Sequence, residues 1–386
     1  MKKLWFVFFC VWAMASSPVV ESARAKPDST KFQLALPGYK FQFPRDHGSH
    51  PRFATEWWYY TGHLRSDDGR PFGYQMTWFR TALAPKTARK SAWATRDIIF
   101  CHFALTDEGG QKFYFSDRIG RANLGLSGAT KNEGMPRIYS GDWALQFGGK
   151  SGEKQRFRAG ATSDATQTSG RKFALDLSQI ALKPPTIQGQ RGVSQKSAGR
   201  GQASHYYSFT RLQTRGILQI GDEKFRVSGQ SWFDHEFGSS QLSANQVGWD
   251  WFSLQLSDGR ELMLYRLRLR NGGIEPYSSG TIIEKNGSSR HLRLKDFRLT
   301  PLSKWKSNAT GGTYPAKWRI EVPLEKLELQ ITPTLPDQEL RPKRSGANLS
   351  YWEGSVRAAG TQNGRAISAV GYLEMTGYAS AFQNTF

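Results

Sequence analysis

Cysteine is nearly absent from this sequence, with only Cys10 and Cys101 among 386 residues. Cys10 lies in the apolar run from Leu4 to Ala13 behind Lys2 and Lys3, the pattern of a cleaved secretory signal peptide. Small residues allow cleavage after Ala15 or after Ala25. Once that leader leaves, Cys101 stands alone, so no intrachain disulfide can form and packing must hold the fold. Val7, Phe8 and Phe9 precede Cys10 where a lipoprotein box needs small residues, which argues against a lipid anchor. No later stretch is apolar enough to cross a bilayer as a helix. The expected product is secreted or periplasmic, with residues 1–25 as the leader.

Acidic residues are scarce too: 32 Asp and Glu stand against 53 Lys and Arg, a net charge of +21. The cations are scattered through loops rich in Gly, Ser and Gln instead of lining one helix, so a nucleic-acid partner is not expected. A basic solvated surface drawn to anionic membrane surfaces is the reading. Also missing are a GxSxG elbow, a P-loop and a GxGxxG turn in a βαβ setting, which excludes serine hydrolase, NTPase and dinucleotide chemistry. The seven His form no HExxH-type pair, and Asp234, His235 and Glu236 alternate along a strand without converging on one ion. Neither metal nor cofactor is expected.

What the chain has is aromatic residues, 13% of the total. TEWWYYTGHL, an Asp67-Asp68-Gly69-Arg70 turn and FGYQMTWFR predict a β-hairpin. GWDWFSLQL, Asp258-Gly259-Arg260 and ELMLYR predict another. Aligned, Tyr59-Tyr60-Thr61 falls on Trp251-Phe252-Ser253 and Leu64 on Leu256, which reads as an internal duplication. The remainder is short strand-like runs between turn signals, with almost no helical periodicity. Residues 27–52, interrupted by Pro37, Pro44 and Pro51, read as an irregular lead-in with His47 and His50 at the surface; 148–170 and 186–201 read as long mobile loops. An all-β chain of two barrels or sandwiches side by side follows, with a boundary near residue 215.

One stretch concentrates ionisable groups. In SWFDHEFG, 231–238, an extended backbone puts Trp232, Asp234 and Glu236 on one face and Phe233, His235 and Phe237 on the other. An indole beside two carboxylates lowers the local dielectric and raises the pKa of at least one, making a proton donor. Glu56 beside Trp57 and Trp58, and His205 beside Tyr206 and Tyr207, repeat the pattern. Together they outline an aromatic-walled cleft for a largely apolar ligand.

TEWWYYTGHL and GRPFGYQMTWFR, paired with SWFDHEFG, resemble the AttH family of secreted proteins, related to carotenoid 1,2-hydratase (hydroxyneurosporene synthase), over roughly residues 40–380. The resemblance implies two lipocalin-like (calycin) β-barrels, 26–215 and 216–386, with the site near their junction. It implies further that Asp234 sits at the hydratases' proton donor, between Gly229 and Gly238, and His205 at a functional His. Trp232, Ser231 and Glu236 depart from that motif's Tyr, Gly and Asn. The expected mechanism has protonated Asp234 attack an isoprenoid or polyene double bond, Trp232 and Tyr207 stabilise the cation, and His205 or Glu236 orient water. Glu56, Trp58 and His235 complete the expected substrate-binding set. The alternative is a lipocalin-like carrier that binds a lipid or polyene without chemistry.

Overall fold

The computed structural model describes residues 31–84, 91, 93–130, 135–162, 170–240, 242–343 and 350–381; the expected signal peptide lies outside them. The first sheet contains β1 (Thr55–Ser66), β2 (Pro71–Ala82), β3 (Asp97–Asp107), β4 (Lys112–Arg121), β5 (Ser127–Ala129), β6 (Arg137–Ser140), β7 (Trp143–Gly148), β8 (Lys154–Ala161), β9 (Phe173–Ala181), β10 (Thr186–Ile187), β11 (Ser194–Gln195), β12 (Ala203–Ile220) and β13 (Glu223–Ser240). The second contains β14 (Gln246–Leu256), β15 (Glu261–Leu269), β16 (Ser279–Ile283), β17 (Ser289–Arg293), β18 (Arg298–Lys306), β19 (Thr313–Val322), β20 (Leu327–Pro333), β21 (Glu339–Leu340), β22 (Tyr351–Gln362) and β23 (Arg365–Met375). Helical segments among the described residues are 3-10 turns such as Arg45–His47.

The first sheet runs β4-β3-β2-β1-β13-β12-β9-β8-β7-β6-β5, and its last two strands return against β3 and β4, so it curls into a barrel. Inside, Trp58, Trp78, Trp143 and their neighbours form one core. Burying each such indole removes about 200 Å² from water, worth at most about 5 kcal/mol. The second sheet runs β17-β16-β15-β14-β23-β22-β20-β19-β18 around its own core, which includes Phe252, Trp318 and Trp352.

The order β4 to β7 of the first sheet corresponds to the order β17 to β18 of the second, with β1 matching β14, β2 β15, β13 β23 and β12 β22, and β6 and β5 are without a counterpart. Register makes the match residue-specific. Tyr59 pairs with Asp234 and Trp251 with Glu374, so Tyr59 corresponds to Trp251 and Asp234 to Glu374. Ser208 pairs with Asp234 and Glu353 with Glu374, so Ser208 corresponds to Glu353. The Tyr59 to Trp251 correspondence is the one the duplicated hairpins predict.

Between the barrels Tyr59, Tyr206, Trp232, Trp251, Tyr265 and Tyr372 belong to a third buried cluster. Around it Glu261 takes ion pairs from Lys183 (2.7 Å) and Arg211 (2.6 Å), and His63 Nε2 donates to the Gly371 carbonyl at 2.9 Å. The halves are therefore docked face to face.

Three expectations need correction. Residue 215 lies inside β12, because 203–240 is one long hairpin turning at Gly221-Asp222 and both its strands belong to the first sheet; the change of sheet falls between Ser240 and Gln246. The presumed loops 148–170 and 186–201 contain β8 and the short strands β10 and β11, the latter pair laid along β12. His47 and His50 are buried, because the lead-in closes one end of the first barrel.

Candidate functional site

Strand alternation builds the site. On β13, Trp232, Asp234 and Glu236 face the second sheet while Phe233 enters the first barrel's core, as the 231–238 pattern predicts. Asp234 is 3% exposed and receives three hydrogen bonds: from the Ser208 hydroxyl (2.5 Å) and the Trp232 indole (2.7 Å) on Oδ1, and from the Tyr206 hydroxyl (2.8 Å) on Oδ2. Burial pushes its pKa up to about 7; the three donors, which favour the anion, only moderate the rise, and nearby Glu236 adds to it. Near neutral pH this acid therefore holds its proton about half the time. It lines a cavity of about 310 Å³ between the sheets, walled by Trp57, Tyr59, Tyr206, Trp249 and Trp251.

The second sheet adds two acids that the sequence reading did not single out. Glu353 and Glu374 are cross-strand partners on β22 and β23, and both line this cavity. Burial and the neighbouring Glu374 hold Glu353 well above the usual carboxylate range, against opposing contributions from Tyr59 and Tyr351. Burial raises Glu374 to about 7, with Trp249 opposing and Glu236 and Asp234 adding. Their signal was an acid within an aromatic strand, in YWEGSV and GYLEM, the same cue as in SWFDHEFG.

Glu236 is 5% exposed, accepts a hydrogen bond from Ser204 and pairs with Lys196 Nζ at 3.2 Å. Burial alone would depress the Lys196 pKa; Glu236 and Tyr265 outweigh it and raise it, so the ammonium stays charged. The ammonium also lies 4.2 Å from the Tyr265 ring centroid. Lys196 arrives on the 186–201 segment, which is why a segment read as a loop proves part of the site.

The other face of the same strands holds the remaining sequence candidates. On β12, Tyr206 and Ser208 point at Asp234, so Tyr207 and His205 point away. The Tyr207 hydroxyl sits between His47 Nδ1 (2.6 Å) and His235 Nδ1 (3.2 Å) inside the first barrel. His205 stacks on Tyr39 at 4.2 Å and donates from Nδ1 to the Gly192 carbonyl at 2.6 Å; burial lowers its pKa to about 4. Neither can stabilise a cation or orient water beside Asp234: period-two alternation gives that place to Tyr206. Trp58 likewise stacks on His235 at 4.8 Å in the barrel core, and its neighbour Trp57 lines the cavity.

Glu56 borders the cavity, but its carboxylate is the hub of a buried network. Arg80 Nε (2.8 Å) pairs with Oε2, and His50 Nδ1 (2.6 Å) and His235 Nε2 (2.9 Å) both meet Oε1. Burial opposes its charge, yet Arg80 and His50 hold the Glu56 pKa well below the usual range. Burial lowers the His235 pKa, so that ring donates to Glu56 as a neutral imidazole. His50, Glu56 and His235 bring potential ligand atoms within 4.8 Å of one another, a convergence the sequence reading missed. The Arg80 guanidinium against the same carboxylate opposes a second cation, and the set works as a structural ion network.

Two curled antiparallel sheets docked over an acid- and aromatic-lined cleft define a double lipocalin-like protein. The AttH-like family model matches residues 34–378, and the chain belongs to that family. The crystal structure of a putative AttH from Nitrosomonas europaea is 33% identical, with a TM-score of 0.77, covering 90% of this chain and all (100%) of that one. Kievitone hydratase from Nectria haematococca shares the fold at 14% identity and a TM-score of 0.67, covering 92% of this chain and 98% of its own. A search of the curated proteins finds no match.

Proposed function

We propose that this AttH-like protein is an exported, hydratase-like enzyme that starts hydration or isomerisation of an apolar isoprenoid or polyene by protonating a carbon–carbon double bond. The observation that carries the reading is Asp234, buried at the aromatic cleft with a pKa pushed up to about 7. The Asp234 carboxyl gives its proton to one alkene carbon. The π pair forms that C–H bond and leaves a tertiary cation on the other, facing the rings of Tyr206, Trp232 and Trp251. Water then forms the C–O bond and returns a proton to the Asp234 carboxylate, giving a tertiary alcohol; loss of a neighbouring proton instead gives the isomer. Of the two residues expected to orient water, His205 and Glu236, the role falls to Glu236, fixed by Lys196.

Asp234→Asn tests this against a carrier role. The amide keeps an oxygen for Ser208 and Trp232 and offers an N–H to Tyr206, so the fold survives. With a polyene probe such as lycopene, an enzyme loses at least 100-fold in turnover and keeps binding, since general acid catalysis contributes about 10²–10⁴-fold. Binding by both proteins without turnover by either makes the protein a carrier.

A further inference from the structure

Three residues lining the cleft carry a buried polar atom with no hydrogen-bond partner among the described residues: the Tyr59 hydroxyl, His102 Nε2 and Glu353 Oε1. Tyr59 is 7%, His102 4% and Glu353 1% exposed. Leaving such groups unpaired costs about 1–3 kcal/mol each, so their gathering on one cavity calls for a partner. They come from both sheets. Tyr59 faces Glu353 from β1, near enough for hydrogen bonding between the two to bear on the charge of each, but without the geometry of a formed bond. His102 Nδ1 bonds the Tyr351 hydroxyl at 2.7 Å, and Tyr351 in turn lies beside Glu353.

The corresponding place in the other half is Ser208, whose hydroxyl donates to Asp234 and accepts from Gln188. The cleft is thus polar and satisfied around Asp234, and polar and unsatisfied at Tyr59 and Glu353. Burial and Glu374 raise the Glu353 pKa well above the usual carboxylate range and so favour the protonated form, which can donate one hydrogen bond as well as accept, and Tyr59 can donate another.

We propose that Tyr59 and Glu353 clasp an oxygen function on the ligand, so that the substrate class is an oxygenated isoprenoid, an apolar chain ending in a hydroxyl or carbonyl, rather than a pure hydrocarbon. A hydroxyl accepts from one residue and donates to the other; a carbonyl accepts from both. The oxygen anchors one end of the chain and sets which double bond reaches Asp234. The inference rests on the reading of the cleft as an apolar-ligand site and adds the ligand's polar terminus.

The test uses the purified protein with farnesol and its hydrocarbon counterpart farnesene, binding being read from quenching of tryptophan fluorescence. Tyr59→Phe and Glu353→Gln are each expected to weaken farnesol about tenfold, the loss of one hydrogen bond, and to leave farnesene within twofold. Without ligand, Tyr59→Phe removes an unpaired hydroxyl, so its melting temperature is expected to equal or exceed that of the unmutated protein. Variants that bind farnesol as tightly as the unmutated protein, or that weaken both probes equally, overturn the clasp and leave the apolar site standing. An unmutated protein that binds neither probe overturns the apolar-site reading, and the clasp falls with it.

Discussion

Tyr59 and Trp251 meet edge to face, ring centroids 5.3 Å apart and planes at 89°, from positions that correspond in the two halves. The cleft acids flank the contact: Asp234 opposite Tyr59 on β13, Glu374 opposite Trp251 on β23. The pairing makes the cavity a joint product of both barrels.

Gly73 bears on that docking, because a β-carbon there would come within 2.7 Å of Ser355 Cβ and of the Tyr372 hydroxyl across the interface. Gly73→Val is expected to destabilise the protein by about 1–3 kcal/mol in urea unfolding. Gly148→Ala, whose β-carbon meets nothing nearer than 3.8 Å, is expected to change stability by no more than about 0.5 kcal/mol.

Tyr206 and Tyr207 are adjacent yet should behave oppositely. The Tyr206 hydroxyl favours the Asp234 anion, so Tyr206→Phe should raise the pKa of the acid and move the upper limb of the kcat/KM pH profile up by about one unit. Under the proposed mechanism the neutral acid is the active form, so activity is expected to fall above that limb. Tyr207→Phe should leave the limb in place and lower stability, its hydroxyl being bound only within the barrel.

Asp234 also ties stability to pH. Its folded-state pKa of about 7 exceeds the unfolded value near 3.9, so its contribution is complete below about pH 4 and is lost as pH rises to about 7. Between pH 5 and 8 the unmutated protein should therefore lose about 2–3 kcal/mol relative to Asp234→Asn in parallel urea titrations.

Glu56 has the opposite sign. Its folded-state pKa lies well below the ordinary value, so its stabilisation is present above about pH 4.5 and lost as pH falls below that. Glu56→Ala leaves the buried Arg80 with Asp97 alone as its carboxylate and takes the shared acceptor from His50 and His235, which should cost about 1–3 kcal/mol at pH 7 for each group left unpaired. Far-ultraviolet circular dichroism during urea unfolding reads the loss.

Much of the fold was legible because aromatic and β-branched hairpins with Asp-Gly turns carry their own signature, and the duplication already aligned Tyr59 with Trp251. The face assignment along 231–238 followed from the two-residue period alone. That same period misled at the neighbours: which of Tyr206 and Tyr207 meets Asp234, and which of Trp57 and Trp58 lines the cavity, depends on strand register, which no local pattern supplies. Glu353 and Glu374 lie more than 100 residues from Asp234, and only the docking of the halves brings them together. The His50, Glu56 and His235 network was hidden for a similar reason, since it joins the lead-in to two strands far apart in sequence.

The mismatch between corresponding positions, Ser208 in one half and Glu353 in the other, has a directional consequence. Two identical barrels would offer a passage that reads the same from either mouth, and a long molecule could lie in it head first or tail first. With a satisfied acid contributed by one half and an unsatisfied one by the other, the two halves of the passage differ, and under the proposed clasp a chain reversed in it would present its oxygen to the wrong acid.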